Sequence, residues 1–290
     1  MFAGTYTAIV TPFTRDEQVD YDALGRLIDA QFDGGVDGIV PVGTTGESPT
    51  LTMDEHEKVV AFAVERTGGR GKVIAGTGGN STAEALELTR QAKDAGADGS
   101  LQVTPYYNKP SQAGLIKHFE AIAEVGLPLV LYNIPGRTSR ELTVDTVVTL
   151  ARHPNITTIK EAGGDVDRVS RYVDSCDIEI ISGDDSLTLP MMAVGAVGVI
   201  SVAANVVPGR VRSMVQAALD GQWETARQIH RALYPLFRDL FVETNPVPVK
   251  AALAMCGLIE EVYRLPLHPL TDAQRETVRA ALLATGVSLE

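Results

Sequence analysis

Cysteine is scarce in this chain: there are two, Cys176 and Cys256, neither in a C-x-x-C pair nor near a histidine cluster. That excludes a disulfide framework and a cysteine-based zinc site, and it suits small buried thiols in a reducing cytoplasm. The five histidines, His56, His118, His153, His230 and His268, show no ligand spacing, so no metal is expected. Basic residues are in deficit, 25 Lys plus Arg against 37 Asp plus Glu for a formal net charge of -12, and no basic run interrupts that balance. Nucleic acid and anionic membrane surfaces are therefore poor partners. The opening stretch Met1-Phe2-Ala3-Gly4-Thr5-Tyr6 has no basic segment ahead of its apolar residues, so no export signal is read there and a cytoplasmic location is expected. One segment, Ser186 to Gly209, is uncharged over a membrane-spanning length, but Pro190, Gly195, Gly198, Asn205 and Pro208 cut it into a short helix and a separate β-branched strand.

What is present is one alternation repeated eight times: a β-rich apolar run, a polar or glycine-rich loop, then an amphipathic helix. The runs are Thr7 to Val10, Gly38 to Val42, Lys72 to Ala75, Ser100 to Val103, Pro128 to Tyr132, Ile156 to Lys160, Ile178 to Ser182 and Gly198 to Val202. Thr52-Met53-Asp54-Glu55 and Ser81-Thr82-Ala83-Glu84 read as capping boxes, and Gly34, Gly68, Gly96, Gly126 and Gly221 stand where helices should stop. Strand and helix alternating at this pitch mean parallel strands joined by right-handed crossovers, and eight units predict a closed (β/α)₈ TIM barrel. An open doubly wound sheet is the alternative, but Gly76-Thr77-Gly78-Gly79-Asn80-Ser81 lacks the last glycine of a dinucleotide turn. After Gly221 the alternation ends. Trp223 to Phe241, Pro248 to Cys256 and Thr271 to Thr285 read as helices, so the division is a catalytic barrel over residues 1–222 and a small C-terminal helical appendix over 223–290.

In such barrels the C-terminal ends of the strands face one shared site. The sixth run, Ile156-Thr157-Thr158-Ile159-Lys160-Glu161-Ala162-Gly163-Gly164, delivers an amine to that end. Among apolar neighbours an ammonium loses hydration, its pKa falls, and the neutral amine can attack a carbonyl. Tyr132, ending the neighbouring run, is placed to approach Lys160, where a phenol shuttles protons during imine formation. The glycines around Thr44 and Thr45 let backbone N–H groups approach a carboxylate, although read alone Gly43-Thr44-Thr45-Gly46 is an ordinary turn. Arg137, in a proline-containing loop, has the fork geometry for a second carboxylate at the mouth.

The stretches Gly43-Thr44-Thr45-Gly46-Glu47, Val103-Thr104-Pro105-Tyr106-Tyr107-Asn108, Tyr132-Asn133-Ile134-Pro135 with Arg137, and Ile159-Lys160-Glu161 together resemble the dihydrodipicolinate synthase family of pyruvate-dependent class I aldolases, of the N-acetylneuraminate lyase type. The resemblance runs nearly end to end and includes Asn245-Pro246-Val247-Pro248-Val249-Lys250. It implies a lyase that condenses pyruvate with L-aspartate 4-semialdehyde to give 4-hydroxy-tetrahydrodipicolinate, with no metal and no organic cofactor. Laid over these residues, it makes Lys160 the Schiff-base amine and Tyr132 the proton donor and acceptor. Thr44 would link Tyr132 to Tyr107, contributed by the neighbouring subunit of a dimer within a homotetramer. Thr45 and Ile200 would hold pyruvate, Gly183 would line the pocket, and Arg137 would grip the semialdehyde carboxylate. Ser48, His56, Asn80, Glu84 and Tyr106 match a lysine effector site, while Glu84 also has the plain structural role of completing the capping box with Ser81. Thr158 and Ser139 stand where smaller residues are common, and Pro49 and Met53 also depart from the pattern. A sugar-acid or keto-acid lyase of the same superfamily would share Lys160 and Tyr132, and Arg137 with the Thr44 and Tyr107 pair favours the synthase.

Overall fold

The computed structural model describes residues 1–289, so residue 290 of the expected C-terminal segment lies outside the described residues. Eight strands, β1 (Gly4–Ala8), β2 (Gly38–Val40), β3 (Lys72–Gly76), β4 (Gly99–Val103), β5 (Leu129–Asn133), β6 (Ile156–Glu161), β7 (Glu179–Ser182) and β8 (Gly198–Ser201), form a closed parallel barrel in chain order. Among the described residues twelve α-helices surround and extend it: α1 (Tyr21–Asp33), α2 (Met53–Thr67), α3 (Thr82–Asp94), α4 (Gln112–Ala123), α5 (Pro135–Thr138), α6 (Val144–Leu150), α7 (Val166–Ser175), α8 (Thr188–Ala193), α9 (Pro208–Leu219), α10 (Trp223–Asp239), α11 (Val247–Met255) and α12 (Asp272–Ala284). The expected (β/α)₈ barrel with C-terminal helices is thus the observed architecture. Among the described residues no helix is long and apolar enough to cross a membrane.

Two strands, β1 and β2, differ from the sequence reading by more than one residue, each for a backbone reason. β1 begins at Gly4 rather than Thr7, because Gly4 pairs with Gly198 to close the barrel, and a Cβ at Gly198 would lie 1.9 Å from the Gly4 carbonyl oxygen. The β-branched pattern cannot register a contact made by two side-chain-free residues. At the other end, Val10 N–H donates to Asn205 Oδ1 at 3.1 Å instead of to a strand, so the chain leaves the sheet. β2 stops at Val40 because Val42 turns to φ 49, a left-handed conformation that opens the Gly43 to Glu47 turn.

The barrel interior is filled by Phe2, Tyr6, Val40, Ile74, Leu101, Val130, Tyr132, Ile181 and Ile200, an apolar plug with Tyr132 in its membership. A second, larger core lies between strands and helices. Leu233, Leu236, Phe237, Leu253, Val278 and Leu282 of α10 to α12 belong to that same core, so the C-terminal helices complete the outer layer. Capping follows the sequence at α2, where the Thr52 and Glu55 box is closed, and α12 opens on a second closed box of Thr271 and Gln274. At α3 it does not: Ser81 Oγ accepts from Glu84 N–H at 3.5 Å, but the Glu84 carboxylate turns toward a cavity instead of back to Ser81. At the end of α1 the stop is Gly35, at φ 79, while Gly34 remains right-handed.

Lys250 of α11 and Glu47 form an ion pair whose side chains are both wholly out of solvent, with the Lys250 amine 4.2 Å from the centroid of the Phe13 ring. Removing one member of such a pair strands the other charge in a low-dielectric site. Lys250→Met should therefore lose about 3–5 kcal/mol of stability in denaturant unfolding, and Glu47→Leu added to it should restore most of the loss. If the double variant were as unstable as the single one, the pair would not be the cause.

Candidate active site

β5 and β6 run in register with Tyr132 opposite Lys160 and Asn133 opposite Glu161, which puts the phenol and the amine side by side at the strand ends. The Lys160 amine lies 4.2 Å from the centroid of the Tyr132 ring, and both residues are 5% exposed. Burial penalises the ammonium and lowers the Lys160 pKa to about 7, with the Asp185 carboxylate pulling it up and Arg137 pressing it further down. Burial likewise raises the Tyr132 phenol to about 12, against the opposing effects of Arg137 and the Thr44 side chain. Near neutral pH the site therefore holds an amine that spends much of its time uncharged beside a phenol that keeps its proton. Gly183 completes the amine's surroundings: a Cβ there would lie 2.8 Å from Lys160 Cε. Ile200, 1% exposed, shares the interior cluster with Tyr132.

The turn after β2 and the helix after β5 form the rim. Thr44, Tyr132, Arg137 and Thr138 line a cavity of about 350 Å³, of a size suited to small ligands. Arg137 does not sit in an irregular loop: it lies in α5, a single turn opened by Pro135 and closed by Ser139 at φ 53. Its Nη2 donates to the Asn245 carbonyl oxygen at 2.9 Å, and Asn245 Nδ2 donates to Thr45 Oγ1 at 2.9 Å. Thr45 is buried beside the lining residues of the turn. Tyr107 stands apart from this cavity, 90% exposed at φ 70.

The five residues matched to an effector site divide. Ser48, Glu84 and Tyr106 line the same cavity, together with Pro49, Gly78 and Gly79. His56 is buried with Nε2 2.8 Å from the Gly76 carbonyl oxygen, and burial lowers its pKa. Asn80 holds the Asn108 side chain through its carbonyl oxygen, at 2.8 Å. Neither His56 nor Asn80 lines the cavity. Thr158 and Ser139 do not narrow it either: Thr158 Oγ1 donates to Glu179 at 3.4 Å, and Ser139 is exposed at the end of α5. Ser139 occupies a left-handed position, which explains why glycine would be easy there.

Sequence reasoning missed the buried polar groups that hold these residues in place. Glu161 accepts from Asn133 Nδ2 at 3.0 Å on both oxygens, from Gly163 N–H at 2.6 Å and from Tyr172 Oη at 3.1 Å, while Asn133 Oδ1 accepts from Leu142 N–H at 3.0 Å. Asp185 accepts from Ser201 Oγ and, at 3.0 and 2.9 Å, from Val202 and Ala203 N–H, tying the end of β7 to the end of β8. Both carboxylates have their pKa raised, burial being the leading cause. The available signal was their position directly after, or two residues beyond, Lys160 and Gly183 in strand ends otherwise rich in apolar residues.

The profile of the dihydrodipicolinate synthetase family matches residues 1–285. The 4-hydroxy-tetrahydrodipicolinate synthase of Aquifex aeolicus is 53% identical over 294 residues, covering 100% of both chains. A crystal structure of dihydrodipicolinate synthase from that organism matches with a TM-score of 0.98 at 51% identity over 100% of both chains. The chloride-inhibited Acinetobacter baumannii enzyme complexed with pyruvate matches with a TM-score of 0.98 at 45% identity, covering 99% of this chain and 100% of that one. The Cyanidioschyzon merolae enzyme with lysine bound gives 0.96 at 41% identity over 99% of both.

In protein labelled with ¹³C-lysine, the Lys160 Cε resonance, assigned by its loss in Lys160→Arg, should titrate with a midpoint near pH 7, charged below and neutral above. A midpoint at the ordinary lysine value of 10.5 would mean that burial does not tune this amine.

Proposed function

The chain belongs to the dihydrodipicolinate synthetase family, and from that premise we propose that Lys160 is the amine through which it works. It is a lyase that condenses pyruvate with L-aspartate 4-semialdehyde through a lysine Schiff base, giving 4-hydroxy-tetrahydrodipicolinate on the diaminopimelate route to lysine. The observation that carries the assignment of Lys160 is its buried amine, with a pKa near 7, against the Tyr132 ring.

The neutral amine attacks the keto carbon of pyruvate, and Tyr132, protonated at neutral pH, gives its proton to the carbinolamine oxygen as water leaves. The imine draws electrons from the pyruvate methyl group, which loses a proton and becomes the enamine carbon that attacks the aldehyde. The amino group of the adduct then displaces Lys160 as the ring closes, and the free lysine returns. Thr44, whose side chain pulls the Tyr132 pKa down, passes protons between it and a Tyr107 supplied by a second copy. Support for that exchange is the 90% exposure of Tyr107 away from its own chain's cavity, and the assembly in this reading is a homotetramer of such dimers. Thr45 and Ile200 hold pyruvate, and Gly183 leaves room beside the lysine. Arg137 pairs with the carboxylate of the semialdehyde at the mouth. The two free thiols fit a reducing, cytoplasmic setting.

Borohydride added with pyruvate should fix a pyruvate-sized mass on the peptide carrying Lys160. In Arg137→Ala that adduct should still form while kcat/KM for the aldehyde falls by about 2–5 kcal/mol of transition-state stabilisation. Label on Lys250, or equal loss of trapping and condensation in Arg137→Ala, would overturn the assignment of roles.

The same reading gives L-lysine an effector site in the cavity that Ser48, Glu84 and Tyr106 line together. Met53, 38% exposed at the start of α2, brings no polar contact, and one missing hydrogen bond costs about 0.5–1.5 kcal/mol. Inhibition is therefore expected to be weak to moderate, in the millimolar range, and abolished in Glu84→Ala. Full activity throughout a lysine titration would make the site vestigial, and tight inhibition would make Met53 irrelevant.

A further inference from the structure

The segment Asn245 to Lys250 reaches the catalytic rim from the C-terminal part of the chain and touches it at three points. Asn245 Nδ2 donates to Thr45 Oγ1 at 2.9 Å, the Asn245 carbonyl oxygen accepts from Arg137 Nη2 at 2.9 Å, and Lys250 is buried against Glu47, two residues beyond Thr45. Asn245 is 6% exposed and Thr45 3%.

A hydroxyl has one proton to give and two lone pairs to receive with. Thr45 Oγ1 receives from Asn245, and its own proton has no acceptor among the described residues. A buried hydroxyl in that state is a committed acceptor on one side and an unused donor on the other. The amide orientation is consistent with this. Asn245 Oδ1 is buried without a partner, and an unpaired carbonyl oxygen is tolerated better than the unpaired NH₂ that a flipped amide would leave.

We propose that Asn245 is a positioning residue that makes Thr45 a hydrogen-bond donor toward the carboxylate of pyruvate. Because the same residue's carbonyl holds Arg137, one position of the C-terminal segment orients the carboxylate-recognising groups for both substrates, its side chain serving pyruvate and its backbone serving the semialdehyde. The proposal rests on the reading that Thr45 binds pyruvate.

The test uses full-length Thr45→Val, Asn245→Ala, Asn245→Asp and the double variant Thr45→Val/Asn245→Ala, comparing KM for each substrate, kcat, and borohydride trapping as a function of pyruvate concentration. Asn245→Ala should raise KM for pyruvate roughly 3–10-fold, the effect of one hydrogen bond, with kcat and the aldehyde KM little changed. Asn245→Asp is isosteric and keeps the backbone carbonyl, so it isolates polarity. Its carboxylate would accept the Thr45 proton and repel the substrate anion, and KM for pyruvate should rise further than in the alanine variant. The double variant should match Thr45→Val alone, since Asn245 acts through that hydroxyl. Multiplying effects in the double variant, or an Asn245→Asp enzyme that binds pyruvate normally, would overturn the proposal. So would a fall in kcat and in affinity for both substrates together, the signature of a merely structural residue. If Thr45→Val itself left pyruvate affinity unchanged, the failure would lie with the assignment of Thr45, on which the role of Asn245 depends.

Discussion

Everything at this site depends on keeping one ammonium poorly solvated. Moving the Lys160 pKa from 10.5 to about 7 corresponds to a penalty of roughly 5 kcal/mol on the charged form. That penalty exists because the amine sits within a closed ring of strands whose interior is packed with Tyr6, Val130, Ile181 and Ile200, side chains that offer an ammonium no hydration. The barrel supplies desolvation, and Asp185 and Arg137 then tune the amine in opposite directions.

A desolvated amine is useful only if its partners are held to a fraction of an ångström, and the structure does this with polar groups that never meet solvent. Glu161 and Asn133 join the ends of β5 and β6 one residue beyond the Lys160 and Tyr132 pair. Asp185 joins the ends of β7 and β8, and both carboxylates are hydrogen-bonded on each oxygen. Polar groups so buried are costly unless paired, and their pairing gives the strand ends directional contacts that apolar packing lacks. The C-terminal helices extend the same logic outward, because their shared core brings Asn245 and Lys250 against the turn that carries Thr44 and Thr45.

The division between what could be read and what had to be seen follows from the range of each interaction. The barrel was legible because the alternation of apolar strand, loop and amphipathic helix is a local pattern repeated eight times, and parallel strands joined by right-handed crossovers leave few arrangements. That Lys160 and Tyr132 stand side by side was legible because both end neighbouring strands, the place where such a fold gathers its chemistry. Boundaries failed where the backbone itself decided, as at Gly4 against Gly198 and at Val42 in a left-handed turn. The Ser81 and Glu84 box failed because Glu84 takes part in a cavity built from the turn after β2 and the end of β4, which no window of α3 contains.

By itself the sequence determined the fold class and the placement of Lys160 and Tyr132 at neighbouring strand ends, since these rest on periodicity and on position along a strand. Tertiary structure alone decided how far the amine is desolvated, which of Ser48, His56, Asn80, Glu84 and Tyr106 share a cavity, and that Asn245 reaches Thr45 across 200 positions of chain. Hydrogen bonds and burial depend on three-dimensional proximity, and proximity between such distant residues arises only when the ring of strands closes and the last helices pack against it.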